Sequence, residues 1–355
     1  MESSQFSLLS GPDLQAFGAD HGAFGDVGAG IIDTGDLPTP DPFRLRLFSF
    51  VTSGADSESF SFTKGGPTTV FFGDGTSSNS SPTISKTYDT SSVPAGSVFS
   101  VTTDSLFYFG IDAKTVKDLN GLEFYWDAIT HTTANLKLQD LGIKQPIPEW
   151  RNANTHYNTL NLKGNSIPGP FPSSITADNV FIQGNKFTGE LPNLHPTQTK
   201  KYQVQSNAFE GNIHDISSHT VIEAYLAYGQ DDGQTYSRIY PKVMLTGEIP
   251  NLSGATSLNF YHVGAGEPWN RGFKNDLSLA SDFDVTDILT RFYASNCQLS
   301  TEEVDKILNA FVNAGTTSPN IIDLSGTNGY PTSAGLADKD TLVAAGWTVN
   351  LPALS

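Results

Sequence analysis

The sequence predicts a mainly β protein with few, short helices, and three observations carry that reading. Between residues 43 and 113 apolar and polar residues alternate with a period of two, as in Arg44-Leu45-Arg46-Leu47-Phe48-Ser49-Phe50-Val51, the spacing of half-buried strands. From residue 114 to the end a different pattern takes over, in which a short alternating run, an Asn and a further apolar residue return again and again. The composition agrees: 33 Gly, 20 Pro and 23 Phe, with only 16% charged residues, suit many turns and short strands better than long helices. At 355 residues the chain is long enough for two or three domains and a substantial core.

Residues 1–42 come first, rich in Gly, Asp and Ala, with a loosely repeated phrase in Ala16-Phe17-Gly18-Ala19-Asp20 and Ala23-Phe24-Gly25-Asp26. Such a segment cannot bury enough to fold alone. It reads either as a solvated tail or as an extended arm that orders on a neighbouring subunit through Phe17, Phe24, Ile31 and Ile32. The spacing of its aromatic residues favours the arm.

Residues 43–113 hold further alternating runs, Ser57-Glu58-Ser59-Phe60-Ser61-Phe62, Ser97-Val98-Phe99-Ser100-Val101-Thr102 and Leu106-Phe107-Tyr108-Phe109-Gly110, separated by turn-forming residues. Several short strands at this spacing predict an antiparallel sandwich. Within them Val70-Phe71-Phe72-Gly73-Asp74-Gly75-Thr76 is followed by Thr87-Tyr88 and by Gly96-Ser97-Val98-Phe99-Ser100-Val101. This resembles the PKD-like, immunoglobulin-type module, departing from it in Phe72, where Trp is frequent, and in the insertion Asp89 to Ala95. Asp74 reads as a turn residue between glycines, with a calcium ligand as the other reading.

The later pattern is clearest in Thr159-Leu160-Asn161-Leu162-Lys163-Gly164-Asn165-Ser166-Ile167 and Asn179-Val180-Phe181-Ile182-Gln183-Gly184-Asn185-Lys186-Phe187. Both stretches resemble the leucine-rich repeat. The resemblance implies a solenoid over 114–355, because one coil cannot bury its apolar side alone and stacked coils can. First strand positions fall at Leu136, Leu160, Val180, Tyr202, Ala224, Leu258, Phe292, Ile322 and Trp347. Inward turns fall at Asn165, Asn185, Asn207 and Cys297, with weaker copies at Leu141, Gly229, Val263 and Thr327. Residues 114–134 are expected to cap the first coil through Leu119, Leu122, Phe124 and Trp126, and residues 336–355 the last. Extra loops at 228–240 and 262–276 carry Tyr236 and Trp269 and suit binding.

One helix is plainly written. Ser300-Thr301-Glu302-Glu303 is a capping box, Val304, Ile307, Leu308, Phe311 and Val312 form one face, and Gly315 supplies the stop. A shorter helix is expected from Lys339 to Ala345, ending at Gly346, before a last strand at Trp347-Thr348-Val349.

Charge and spacing exclude several functions. With 37 acidic against 20 basic residues and a net charge of −17, the chain lacks the clustered cations that nucleic acid or an anionic membrane surface needs. No apolar run approaches the roughly 18 residues of a membrane span, and the N-terminus lacks the basic-then-apolar pattern of an export leader, so neither membrane insertion nor a leader is expected. The single cysteine, Cys297, cannot form an internal disulfide and is expected to be buried. The seven histidines show no zinc-binding spacing, and no nucleophile elbow or phosphate loop is present. Asp282, Asp284 and Asp287 read as a solvated turn rather than a calcium site. Acid pairs such as Asp231 and Asp232 would serve a glycosidase only at a defined separation. No enzyme activity, metal or cofactor is therefore expected.

Binding is better motivated, because residues between the inward ones of each strand face out. The central outward column is expected to hold Lys137, Asn161, Phe181, Gln203, Tyr225, Asn259, Tyr293 and Asp323, and its neighbour Gln139, Lys163, Gln183, Gln205, Tyr261 and Ser295. The candidate binding residues are Asn161, Lys163, Phe181, Gln183, Gln203, Gln205, Tyr225, Asn259, Tyr261 and Tyr293. Their amides and rings suit sugar hydroxyls and sugar faces or a protein loop, and the other reading is an ordinary polar sheet. An Ig-like module before a leucine-rich solenoid is similar to architectures of bacteriophage virions and bacterial surfaces, and Val304 to Trp347 looks like the closing repeats of phage-encoded leucine-rich proteins. The resemblance implies a homo-oligomeric virion appendage, a tail fibre, spike or head fibre, held to other virion proteins by residues 1–42 and gripping a host-surface glycan or protein. A bacterial cell-surface adhesin is the alternative, and a carbohydrate-active enzyme a third reading.

Overall fold

The computed structural model describes residues 45–51, 58–64, 69–79, 83–88, 98–103, 109–111, 123–124, 135–148, 155–230, 243–265, 274–315 and 320–354. Phe17, Phe24, Ile31 and Ile32, most of the expected N-terminal cap, and Asp231, Asp232, Tyr236 and Trp269 lie outside these residues. The described chain is mainly β, with two helices.

Its first part contains β1 (Leu45–Val51), β2 (Glu58–Lys64), β3 (Val70–Phe71), β4 (Ser77–Ser78), β5 (Thr83–Tyr88), β6 (Val98–Thr103), β7 (Phe109–Ile111) and β8 (Glu123–Phe124). These strands pair with one another only antiparallel, in the order β4-β3-β6-β1-β8 and, separately, β5-β2-β7. The bend between β3 and β4 is held by Asp74, whose Oδ1 accepts from Thr76 N–H at 3.0 Å and from Thr76 Oγ1 at 2.6 Å, while Lys86 Nζ stands 2.5 Å from Oδ2. Burial raises the Asp74 carboxyl, but the hydrogen bonds from Lys86 and Thr76 outweigh it and hold the group below the usual carboxylate value. Its two oxygens thus serve the turn and the Lys86 ammonium of β5.

The second part is parallel. Its strands are β9 (Asn135–Lys137), β10 (Thr155–Asn161), β11 (Pro168–Pro170), β12 (Ile175–Phe181), β13 (Lys186–Gly189), β14 (Lys201–Gln203), β15 (Ala208–Phe209), β16 (Gly211–Asn212), β17 (Ala224–Leu226), β18 (Val243–Ile249), β19 (Phe260–His262), β20 (Lys274–Leu279), β21 (Arg291–Tyr293), β22 (Ile321–Asp323) and β23 (Thr348–Asn350). One long sheet runs β9-β10-β12-β14-β17-β19-β21-β22-β23, every neighbour parallel. The returning chain adds two smaller parallel sheets, β11-β13-β15 and β16-β18-β20. The long sheet also crosses residue 113 without a break, since β7 pairs in parallel with β9 and joins β2 and β5 to it.

Register explains the core. Leu136, Leu160, Val180, Tyr202, Tyr225, Tyr261, Phe292 and Ile322 stand opposite one another, and all are buried. Leu138, Leu162, Ile182, Val204, Ala227, Val263, Ala294 and Leu324 form the next buried row. The strand positions expected at Ala224, Leu258 and Trp347 are thereby corrected to Tyr225, Tyr261 and Val349. At Ala224 and Leu258 the error has a physical source: a Tyr was read as an outward residue, and in a period of two a slip by an odd number of residues exchanges the faces; the shift from Trp347 to Val349 is two residues and keeps the parity. Within the core Tyr202, Tyr225, Tyr261 and Phe292 stack at successive ring separations of 5.2, 5.4 and 5.7 Å.

A third row is polar. Asn165 donates through Nδ2 to the Leu138 and Leu162 carbonyls and accepts the Leu141 and Ile143 N–H groups. Asn185, Asn207, Gln230 and Asn328 bond the backbone of adjacent strand segments in the same way. Such groups satisfy buried backbone that the tight return leaves without a ladder partner. The weak turn positions Gly229 and Thr327 are corrected to Gln230 and Asn328, one residue on in each case. Cys297 is fully buried, and burial pushes its thiol pKa up.

Helix α1 (Thr301–Ala314) follows its sequence. Ser300 Oγ accepts from Glu303 N–H, the Glu303 carboxylate accepts from Ser300 N–H, and Gly315 closes the helix at φ 63°. Val304, Ile307, Leu308 and Phe311 are buried, and Val312 is half-buried. Helix α2 (Ser333–Ala344) begins six residues before the expected Lys339, with Thr332 as its N-cap. Gly335 in its first turn lies where a Cβ would strike the Asp305 carboxylate of α1. Close approach of the two helices, not a bend, calls for glycine here.

Candidate functional site

The outward positions of the long sheet divide into two chemically distinct halves. Over β9, β10, β12 and β14, and two residues past each, they are Asn135, Lys137 and Gln139, then Thr159, Asn161 and Lys163, then Asn179, Phe181 and Gln183, then Lys201, Gln203 and Gln205. The amides partner one another across strands: Asn161 Nδ2 donates to Gln139 Oε1 at 2.7 Å, and Gln183 Nε2 to Gln203 Oε1 at 3.2 Å. Gln183 Oε1 and Gln205 Oε1 are shielded from solvent and accept nothing. Lys201 lies 3.7 Å from Glu223.

Over β17, β19 and β21 the face is aromatic. Tyr228 stacks on His262 with ring centroids 3.7 Å apart and planes at 9°, and His262 continues onto Tyr293 at 4.6 Å. Phe260 lies 5.7 Å from Tyr293 and carries the Arg291 guanidinium over its ring at 5.4 Å. Opposite Tyr228 on the next strand stands Gly264, where a Cβ would fall 2.7 Å from Ser295 Oγ. With no side chain there, the Tyr228 ring can lean onto His262. Burial lowers His262 to a pKa of about 3, so the stack has a neutral imidazole at its centre. The Tyr293 phenol is raised by burial, with Asp323 and Tyr228 acting in the same sense against Arg291.

These rings spend their faces on each other. A sugar ring that packs on an aromatic residue needs a free π face, and a stack running from strand to strand offers mainly edges. The aromatic half is therefore a stiff block flanking the amide half, with Arg291 and Asp323 as its charged members.

Most of the expected binding residues lie on this face. Asn161, Phe181, Gln183, Gln203, Gln205 and Tyr293 are half-buried, and Lys163 is exposed. Tyr225 and Tyr261 do not: each is 0% exposed and belongs to the core row, so both are withdrawn from the site for the register reason given above. Asn259 is exposed but precedes β19, and its carbonyl accepts the Thr290 and Arg291 N–H groups. The residues missed were Tyr228, Phe260, His262 and Arg291. Tyr202, on the inward row of a secure repeat, was the available signal that Tyr225 and Tyr261 belong beside it.

At the N-terminal ends of the strands, His156 lies 2.9 Å from both Thr176 Oγ1 and Asp178 Oδ1, with the His195 ring 4.7 Å away. On the side of β16, β18 and β20 a cavity of about 410 Å³ is lined in part by Asp215, Glu248, Asn251 and Asp282. Asp282, Asp284 and Asp287 are exposed. No group of three or more potential metal ligands occurs among the described residues, and none of their helices is long and apolar enough to cross a membrane. No protein-family model matches the chain, and neither a curated protein nor a solved structure does.

Proposed function

We propose that this chain is a non-enzymatic appendage of a bacteriophage particle, a tail fibre, spike or head fibre, that binds a host-surface glycan or protein. In this reading an Ig-like, PKD-like sandwich leads into a leucine-rich solenoid, and residues 1–42 attach the protein, as a homo-oligomer, to other virion proteins. The observation that carries the binding reading is the outward face of the long sheet. It concentrates amides on one side and aromatic rings with Arg291 on the other, chemistry that suits recognition. The parallel strands in register, with apolar, aromatic and amide rows beneath them, support the solenoid. The two antiparallel strand groups support the sandwich.

Attachment and binding are tested separately. An antibody against the chain should label purified particles, and a chain lacking residues 1–42 should fold yet no longer assemble onto them. Labelling of bacterial envelopes in place of particles would favour the cell-surface adhesin. Assembly by the shortened chain would refute the anchoring role. Glycan hydrolysis abolished by changing one acid pair would replace the binding reading with an enzymatic one.

A further inference from the structure

We infer that the amide half of the face takes an acidic saccharide, a polyhydroxylated chain carrying carboxylate or phosphate groups. This rests on the binding reading above and narrows it to one ligand class and one end of the sheet. The argument starts from charge. In a chain with 37 acidic and 20 basic residues, the outward positions of β9 to β14 carry Lys137, Lys163 and Lys201 and no carboxylate. Of the carboxylates bordering them, Asp178 lies 2.9 Å from His156 and Glu223 3.7 Å from Lys201, and the exposed Asp140 stands beside Lys163, its N–H donating to the Lys163 carbonyl. Lys137 and Lys163 have no ion-pair partner among the described residues.

Geometry puts these two ammonium groups to one use. Lys137 and Lys163 sit on adjacent strands, displaced by two residues, so their Cα atoms are roughly 8 Å apart from strand spacing and rise. Long side chains from such positions converge on one anionic group or reach two successive ones. Around them Gln139, Asn161, Gln183, Gln203 and Gln205 offer both donors and acceptors, which is what hydroxyl groups require. The net charge of −17 does not forbid an anion here, because at physiological salt charges beyond about 8 Å are largely screened. Nucleic acid does not fit, since it calls for many more phosphate contacts than these lysines supply. An apolar protein ligand would favour the aromatic half.

The test uses the full chain on an array of uronate, sialate and glycerol-phosphate oligosaccharides, each printed beside its carboxyl-reduced or phosphate-free counterpart. The strongest pair is then titrated by calorimetry at low and high salt, which separates carboxylate from phosphate sources. The inference predicts preference for the charged member, weakened by salt. Lys137→Gln and Lys163→Gln should each weaken the charged member about tenfold, as loss of a charge-assisted bond does, weaken the neutral one less, and leave the melting temperature unchanged. Asn161→Ala should weaken both members alike. Equal binding of charged and neutral members, a preference that survives the double lysine variant, or no binding to any member overturns the inference. Cell binding measured in parallel separates the two readings: if it persists in any of these cases, receptor binding stands and only the acidic saccharide falls.

Discussion

The three stacked tyrosines of the core, Tyr202, Tyr225 and Tyr261, differ in one atom's surroundings. Tyr202 OH donates to the Pro192 carbonyl at 2.8 Å, and Tyr225 OH accepts from His214 N–H at 3.2 Å. Tyr261 OH is fully buried without a partner. A made hydrogen bond contributes about 1 kcal/mol, whereas an orphaned buried hydroxyl only costs desolvation. Tyr202→Phe and Tyr225→Phe should therefore each destabilise by about 1 kcal/mol, and Tyr261→Phe should be neutral or stabilising. Urea unfolding of the three variants checks this, and a loss at Tyr261 equal to the others would show that its hydroxyl is bonded. The same tyrosines show why the site was only partly legible. Phenol rings are amphipathic, so the sequence allowed them on either face, and only the register decides.

At the scale of the element, the polar row explains how parallel strands with poor apolar patterns still pair. Asn185 donates to the Leu162 and Ile182 carbonyls at 2.9 and 3.0 Å and accepts Ile167 N–H at 3.2 Å. Replacing it by Ala strands these backbone groups in the core, a loss of roughly 2–4 kcal/mol. Thermal unfolding of Asn185→Ala measures it, and a cost below about 0.5 kcal/mol, the range of an ordinary surface change, would contradict the assigned role. Asn165, Asn185 and Asn207 were legible because each follows its strand at a fixed offset. Gln230 was missed because a glutamine does the work of asparagine one position after Gly229. Asn275 was missed for another reason: it accepts Leu245 N–H and donates to Val263 O from beyond the insertion at 266–273, so local spacing could not reveal it. Helix α1 was fully legible because its caps are local, whereas α2 was expected only from Lys339 and begins at Ser333 behind the Thr332 cap.

For the whole molecule, buried histidines set the response to acid. Burial, aided by His219, lowers His214 to a pKa of about 4, and burial lowers His262 to about 3. In the unfolded chain these rings protonate near 6.5. Between those values the unfolded state binds more protons, so stability falls as the pH drops from about 6.5 toward 4 and gains nothing from these groups above 6.5. Urea midpoints should decline over that interval, and His262→Phe should make the decline shallower. A flat midpoint would show that both imidazoles reach solvent. The mainly β class was visible in the sequence at this scale, because apolar periodicity recurs along the chain. The continuity of the long sheet from β9 into β7, β2 and β5 was not, because strand pairing between dissimilar segments leaves no periodic trace.

The outward sheet face is tested most directly by quantifying binding of fluorescent full-length protein to host bacteria, using variants that alter this face without touching the core. Asn161→Trp should abolish or sharply reduce binding and Arg291→Ala should reduce it less, both with an unchanged melting temperature, while Lys339→Ala on α2 should bind as the parent does. Undiminished binding by both face variants would contradict the account.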